Sequence, residues 1–302
     1  MIATKSSHRE ATQGVAVAIP SGLLQPMSHR LRNDKSDLMD VRQTAEYASF
    51  MTKLGWQVEY IDKTSIFIKK LPLLPPIVKI LRGKPIDAEK IRKKYRPMRL
   101  VIQPFEFNAK PCNSPLVPTK TIWIDLTKSE KIFLSEMKQK TRYNLKQAQK
   151  NNLSLKIISG DKISPQELQD FFNLWKKNKP FDWLFQPSFH ELDSLVKSFG
   201  EKCFFVFIWN LEFGIWNLIA GLIILQSDNM AFYWHNCSSL QAKKLFAPTL
   251  GAWEAIKESK KRRLKIFDFE GIWDERLPKM NLGWKGFTRF KEGFGGQPIS
   301  LS

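Results

Sequence analysis

The chain of 302 residues has few cysteines, no long apolar run and a shortage of acidic residues. Cys112, Cys203 and Cys237 are widely spaced and form no C-x-x-C pair, which argues against a disulfide framework or a zinc site and favours a reducing compartment. The longest apolar stretch, residues 215–225, is interrupted by Asn217 and is too short to span a bilayer. No signal-peptide arrangement opens the sequence. We expect a cytoplasmic protein, with a peripheral contact at the inner membrane face left open.

Basic residues dominate the charged composition. The 48 Lys and Arg against 29 Asp and Glu give a formal net charge of +19 and a pI of about 9.8. Such an excess favours an anionic partner, which is nucleic acid, a phosphorylated substrate or an anionic membrane surface. A generally basic composition without a dedicated partner is the alternative.

The order of predicted elements divides the chain into three parts. Residues 1–36 are polar with weak apolar clusters, which is typical of disorder. Residues 37–128 and residues 129–302 each show helices, then a meander of strands, then a helix and a strand. This duplicated order predicts an α+β fold of two subdomains with largely antiparallel sheets flanked by helices.

In the first subdomain, residues 40–54 have apolar positions at helical spacing, and a hairpin follows that turns at Asp62-Lys63. The proline-rich segment 71–76 is predicted not to belong to a central strand. The dense basic run 79–99 is either a solvated helix face or an anion contact.

In the second subdomain, the spacing predicts a single helix over 130–151, basic on its polar side. Three successive strands within 203–235 predict an antiparallel meander, and 245–260 an amphipathic helix. Residues 283–296 then alternate lysines, an arginine, aromatics and glycines. Because chain ends rich in aromatic anchors do not fray, we expect this tail to be docked, with its cations directed at a ligand.

Several segments carry a resemblance to a known family. They are Met137-x-x-Lys140-Thr141-Arg142-x-x-Leu145-x-x-Ala148, Ile219-Ala220-Gly221-Leu222, Tyr233 followed by Ser238-Ser239, Ala247-Pro248 with Trp253-Glu254-Ala255-Ile256, Phe267-Asp268-Phe269-Glu270-Gly271-Ile272, and Gly286-Phe287-x-x-Phe290-Lys291-x-Gly293-Phe294-Gly295-Gly296. In this order, over residues 40–302, they resemble the Fem family of aminoacyl-tRNA-dependent transferases that build peptidoglycan bridges. Two family features are missing: the long helical-hairpin arm, and an arginine within residues 181–190.

The resemblance implies two GNAT-like subdomains and direct transfer of an amino acid from aminoacyl-tRNA to an amine of a peptidoglycan precursor, which is lipid-linked or nucleotide-linked. It implies no metal and no cofactor, with the charged tRNA as co-substrate. Both substrates are polyanions, in keeping with the charge excess.

The resemblance places Lys291 at the reacting centre, where its cation would stabilise the tetrahedral intermediate or contact the tRNA end. The alternative is a solvated tail lysine. The predicted substrate-binding residues are Gln43, Tyr47, Arg142, Tyr233, Asp268, Arg289 and Phe290. All of these except Arg289 have a structural alternative: a basic helix face for Arg142, a cap for Gln43, core aromatics for Tyr47, Tyr233 and Phe290, and salt bridges for Asp268.

Two rival functions stay open. One is a GNAT-like N-acyltransferase that uses acyl-CoA, although no basic residue followed by paired glycines precedes a helix here. The other is a non-catalytic basic module that binds RNA or an anionic membrane.

Overall fold

Two β-sheets carry the fold of the computed structural model, which describes residues 38–112, 114–178 and 188–302. The predicted disordered tail 1–36 and most of segment 181–190 lie outside the described residues. No helix within the described part of the chain is long and apolar enough to cross a membrane.

The first sheet has four strands in sequence order, β1 to β4. They are β1 (Gln57–Ile61), β2 (Thr64–Leu71), β3 (Leu74–Leu81) and β4 (Arg99–Gln103). The first three form an antiparallel meander, and β4 lies parallel to β3. The predicted hairpin turn at Asp62-Lys63 is confirmed, and both residues have positive φ, as two-residue hairpin turns require.

The second sheet has seven strands in the order β11-β5-β10-β9-β8-β7-β6. They are β5 (Lys120–Asp125), β6 (Leu153–Ser159), β7 (Cys203–Glu212), β8 (Ile215–Gln226), β9 (Met230–Ser238), β10 (Ile266–Asp268) and β11 (Gln297–Ser300). β6 to β9 form an antiparallel meander, and β10 lies parallel to β9. In both sheets, therefore, an antiparallel meander is followed by a parallel strand.

Nine α-helices flank the sheets in the described residues. They are α1 (Ala45–Lys53), α2 (Ala88–Tyr95), α3 (Glu130–Glu136), α4 (Gln139–Lys150), α5 (Pro165–Lys177), α6 (Phe189–Phe199), α7 (Leu240–Lys244), α8 (Ala247–Lys261) and α9 (Lys285–Glu292). Helices α2 and α8 make the crossovers that parallel strand pairs need.

The core lies on both faces of the larger sheet. Alternate side chains of β7 enter different clusters, with Phe204 on the face covered by α4 and α8, and Phe205 on the face covered by α1, α5 and α6. A strand buried on both sides reads as a continuous apolar run, which the sequence of β7 shows. Because α1 belongs to the first half of the chain, the cluster that contains Phe205 joins the two halves.

Two expectations are wrong. β3 is hydrogen-bonded on both sides although it contains Pro75 and Pro76; the prolines stand at its start, and pairing with β4 begins only at Ile77, so no bond to β4 is lost. The helix over 130–151 is two helices, because Lys138 is extended (φ −60°, ψ 145°) between α3 and α4.

The subdomain boundary at 128/129 stays a prediction. β5, which precedes it, pairs with β10 and β11 in the larger sheet.

Candidate active site

The candidate site begins where β10 ends, beside its parallel neighbour β9. Asp268 is 5% exposed and accepts hydrogen bonds from the Thr121 hydroxyl, from Trp123 Nε1 at 2.8 Å and from the Glu270 N–H at 2.6 Å. Burial, and then the neighbouring Glu270 carboxylate, raise the pKa of Asp268 to about 7, although the side-chain donors oppose the shift.

Glu270 joins the two halves of the chain. Its oxygens accept from both terminal nitrogens of Arg42, at 3.2 and 3.0 Å, and Arg42 also contacts Asp40 at 3.0 Å. Burial works to lower the pKa of Arg42, but the Glu270 and Asp40 carboxylates outweigh it and raise that pKa above its ordinary value. Arg82, 3% exposed, lies 3.9 Å from Asp40 and donates to the Ser302 carbonyl.

Lys291 brings a third cation to the same place from α9. Its Nζ donates to the Gly271 carbonyl at 2.7 Å and lies 5.9 Å from the Tyr233 ring centroid. Only 9% of the residue is exposed. Burial lowers the pKa of Lys291 to about 8, and the Glu270 and Asp268 carboxylates limit the fall.

We call these six residues the buried charge cluster: Asp40, Arg42, Arg82, Asp268, Glu270 and Lys291. Three formal positive charges face three formal negative charges, and the cluster draws on both halves of the chain. Aromatic rings lie beneath it. Phe269 lies 5.5 Å from Tyr233 and 5.3 Å from Phe294, and Phe294 lies 5.3 Å from Phe290, centroid to centroid. The tail is therefore docked, and the hypothesis of a solvated lysine at position 291 is wrong.

The tail docks at the break between α3 and α4. The Lys138 N–H donates to the Gly293 carbonyl at 2.9 Å, and Lys138 Nζ pairs with Glu292 at 2.9 Å. Gly295 has φ +81°, and a Cβ there would lie 2.8 Å from the Glu136 carbonyl oxygen. Only glycine combines this conformation with so close a backbone approach.

Arg142, in the first turn of α4, reaches back across the same break between α3 and α4. It donates to the carbonyls of Leu134, Ser135 and Met137, which are free acceptors at the end of α3. This contact holds α3 against α4. Its predicted role in substrate binding stays a prediction.

Gln43 and Tyr47 lie in the first half of the chain. The Gln43 amide donates to the Leu81 carbonyl at 2.7 Å and accepts from the Ser65 N–H at 2.7 Å, so it ties the start of α1 to β2 and β3. Tyr47 borders a cavity of about 110 Å³ lined by Tyr47, Phe50, Trp175, Glu191, Leu192, Leu195, Trp234 and His235. Arg42, a member of the buried charge cluster, stacks over Trp234 with its Cζ 4.8 Å from the ring centroid, and Trp234 lines this cavity.

The structure thus brings Tyr233, Asp268 and Lys291 together, with Phe290 partly buried one residue before Lys291. Arg289 is exposed on α9. Sequence reasoning missed Asp40, Arg42 and Arg82. Lone arginines beside polar residues resemble surface charges, so their burial is not evident from the sequence. The one signal of burial was that Arg82 directly follows an apolar run.

Comparisons with known proteins agree with this picture. Residues 210–300 match the model of the FemAB family. This range contains Tyr233, Asp268, Glu270 and Lys291. The crystal structure of FemX is similar with a TM-score of 0.71 at 13% identity, covering 87% of this chain and 90% of that one. No curated protein matches the sequence.

Two further solved structures are similar. The C-terminal domain of a putative lysylphosphatidylglycerol synthetase from Agrobacterium fabrum has a TM-score of 0.58 at 14% identity, covering 86% of this chain and 87% of that one. L-PGS from Bacillus licheniformis has a TM-score of 0.52 at 13% identity, covering 83% and 86%. At these identities the structures show the fold alone. The predicted α+β fold class, with mixed sheets flanked by helices, is confirmed.

Proposed function

We propose that this chain, a Fem family member through its residues 210–300, transfers an amino acid from aminoacyl-tRNA to an amine of a peptidoglycan precursor. The observation that carries the proposal is the buried Lys291 ammonium, fixed on the Gly271 carbonyl 2.7 Å away and interacting electrostatically with the Asp268 and Glu270 carboxylates. A cation held in a desolvated place beside proton acceptors is what aminolysis of an ester requires.

In the proposed reaction the acceptor amine, as the free base, attacks the ester carbonyl of the aminoacyl-tRNA. A C–N bond forms, and the carbonyl oxygen becomes an oxyanion that the Lys291 ammonium stabilises. The C–O bond to the tRNA ribose then breaks as the oxyanion collapses, and the ribose oxygen is protonated. The proton that the amine loses passes to the Asp268 carboxylate, where burial and the neighbouring Glu270 charge raise the pKa to about 7, and from there to the ribose oxygen.

The surface charge favours polyanionic substrates. Residues 138–153, which include α4, contain no acidic residue, and Lys140, Lys146 and Lys150 on this helix are exposed. Helix α4 begins beside the docked tail that carries Lys291. A tRNA whose phosphates lie along α4 would bring its 3′ end towards the buried charge cluster.

A phospholipid is an alternative acceptor to the peptidoglycan precursor. One of the similar structures is the domain of a putative lysylphosphatidylglycerol synthetase, which suggests a phospholipid head group in place of the stem peptide. An acyl-CoA donor is the third possibility. The chemistry assigned to Lys291 is the same for every acceptor and for either donor, so the test must compare substrates directly.

The test is transfer of labelled amino acids from a set of charged tRNAs to lipid-linked and nucleotide-linked stem peptides. Parallel reactions contain phosphatidylglycerol as acceptor, or acyl-CoA as donor. We expect transfer to a stem-peptide amine, reduced about 100-fold or more in Lys291→Met because one oxyanion donor is lost. Lys285→Met is the matched control, since Lys285 lies on the same helix but its Nζ stacks on Trp273.

Three outcomes contradict the proposal. They are transfer only to phosphatidylglycerol, transfer only from acyl-CoA, and no transfer with any pair of charged tRNA and precursor. Equal loss of activity in both lysine variants would remove the special role of Lys291.

A further inference from the structure

The hairpin of β7 and β8 projects beyond the strands on either side of it. β6 pairs with β7 only as far as Asn210, and β9 pairs with β8 only as far as Ala220. The two strands continue together to the pair Glu212 and Ile215. At about 3.3 Å per residue, the tip therefore lies roughly 10 Å beyond Asn210.

The turn at the tip of the hairpin has a strained backbone at Phe213. Phe213 and Gly214 both have positive φ, 49° and 77°, which is the two-residue turn that asparagine and glycine normally form. A bulky aromatic residue is rare in this conformation. Phe213 is also fully exposed, at 102% of its reference area, so no contact within the chain compensates the strain.

The apolar surface continues down the hairpin from Phe213. Leu211 and Trp216 are cross-strand partners on one face, and Ile215 lies on the other. All three are exposed, at 38%, 50% and 64%. Leu240, 78% exposed at the start of α7, lies beside the hairpin, because the next residue, Gln241, donates a hydrogen bond to Glu212.

Lysines lie near the base of the hairpin, on the side of α7 and α4. Lys243 and Lys244 end α7, and Lys146 and Lys150 are exposed on α4, whose end meets α7 through the hydrogen bond from Asn151 to the Leu245 carbonyl. Glu212 is the only acidic residue in segments 138–153, 209–218 and 240–245. An apolar tip with lysines near its base is typical of a protein that inserts side chains into an anionic lipid surface.

We propose that this hairpin tip inserts into the surface of a bilayer that contains anionic phospholipid. Phe213 and Trp216 would enter the interface between head groups and acyl chains, while the lysines at the base contact the head groups. A second copy of the chain fits less well, because a single turn cannot offer the roughly 800 Å² per partner of a stable dimer. Nucleic acid would account for the lysines but not for Leu211, Ile215 and Leu240.

The inference is independent of the transferase reaction and is tested without donor or acceptor. The full chain is floated with vesicles of phosphatidylcholine alone, and with vesicles that also contain phosphatidylglycerol. We expect binding only to the anionic vesicles, weakened by high salt because the lysines act through a screened field. Phe213→Asn should lower the partition coefficient by roughly tenfold to a hundredfold, which is the effect of losing one buried aromatic side chain.

Phe213→Asn is chosen because asparagine suits the turn, so the variant should unfold at the same temperature as the parent or higher. Leu73→Asn is the matched control. Leu73 is fully exposed, at 104%, with φ 59° in another hairpin turn, and it should leave binding unchanged. No binding to anionic vesicles, equal binding to neutral ones, or equal loss in both variants would overturn the proposal. Binding of tRNA that depends on Phe213 instead would replace lipid by nucleic acid as the partner.

Discussion

Lys291 is a cation in a place where burial opposes its charge. Because the pKa of Lys291 is about 8 in the folded chain and 10.5 in an exposed lysine, the unfolded chain holds this proton more tightly. The charged side chain therefore costs stability at neutral pH, and stability should rise with pH between about 8 and 10.5. A residue that destabilises its own fold is typical of a functional site.

The pH dependence of transfer follows from the same shift. If the ammonium stabilises the oxyanion, the transfer rate should fall as the pH rises through about 8, although the acceptor amine itself becomes more reactive there. Lys291→Arg should move this fall to higher pH, because arginine stays protonated. The measurement is initial rates across pH, corrected for spontaneous ester hydrolysis. A rate that keeps rising beyond pH 8 with the same profile in the parent and in Lys291→Arg would contradict a role for the ammonium.

Among the elements, α3 and α4 show how a distant contact decides local structure. The apolar positions Ile132, Phe133 and Met137 continue the period of Leu145 and Ala148, so the spacing predicts one helix. The chain breaks at Lys138 because its N–H is taken by the Gly293 carbonyl, more than 150 residues later. Local periodicity predicts the helical residues, and the aromatic residues of the tail predict that it is docked. Neither pattern predicts the place at which the tail docks.

This docking makes a prediction about the tail glycines. Gly295→Ala should destabilise the chain by about 2 kcal/mol or more, because alanine at φ +81° is strained and its Cβ would press on the Glu136 carbonyl. Gly286→Ala is the matched control, since that glycine lies in α9 with nothing within 4 Å of an added Cβ. It should be neutral or stabilising by up to about 1 kcal/mol. Thermal unfolding measures both, and equal midpoints for the two variants would mean that the tail is not held at this break.

At the scale of the whole molecule, the duplicated order of elements could be predicted from patterning, but the connection between the halves could not. The dense charge of residues 79–99 predicts a solvated helix face or an anion contact, yet Arg82 within them is 3% exposed and pairs with Asp40. Hydrophobic spacing identifies faces of helices and strands. It does not predict that Arg42 and Arg82 are buried, because their partners Glu270 and Ser302 come from the other half of the chain.

The Arg42 to Glu270 pair should therefore couple the stability of the two halves. Arg42→Met leaves the buried Asp40 and the partly buried Glu270 with too little positive charge nearby, and removing one partner of a buried pair costs about 3–5 kcal/mol. Adding Glu270→Gln removes the surplus negative charge, so the double variant should be more stable than the sum of the single losses predicts.

The control is the exposed pair of Lys197 and Asp193 on α6, where Lys197→Met should change stability by about 1 kcal/mol at most. Urea unfolding followed by tryptophan fluorescence and by far-ultraviolet circular dichroism measures the four free energies of the cycle. Coincident curves in the parent chain would show that the halves unfold together. Strictly additive losses for Arg42→Met and Glu270→Gln would mean that the ion pair stabilises each half separately, and the buried charge cluster would then not be the link between them.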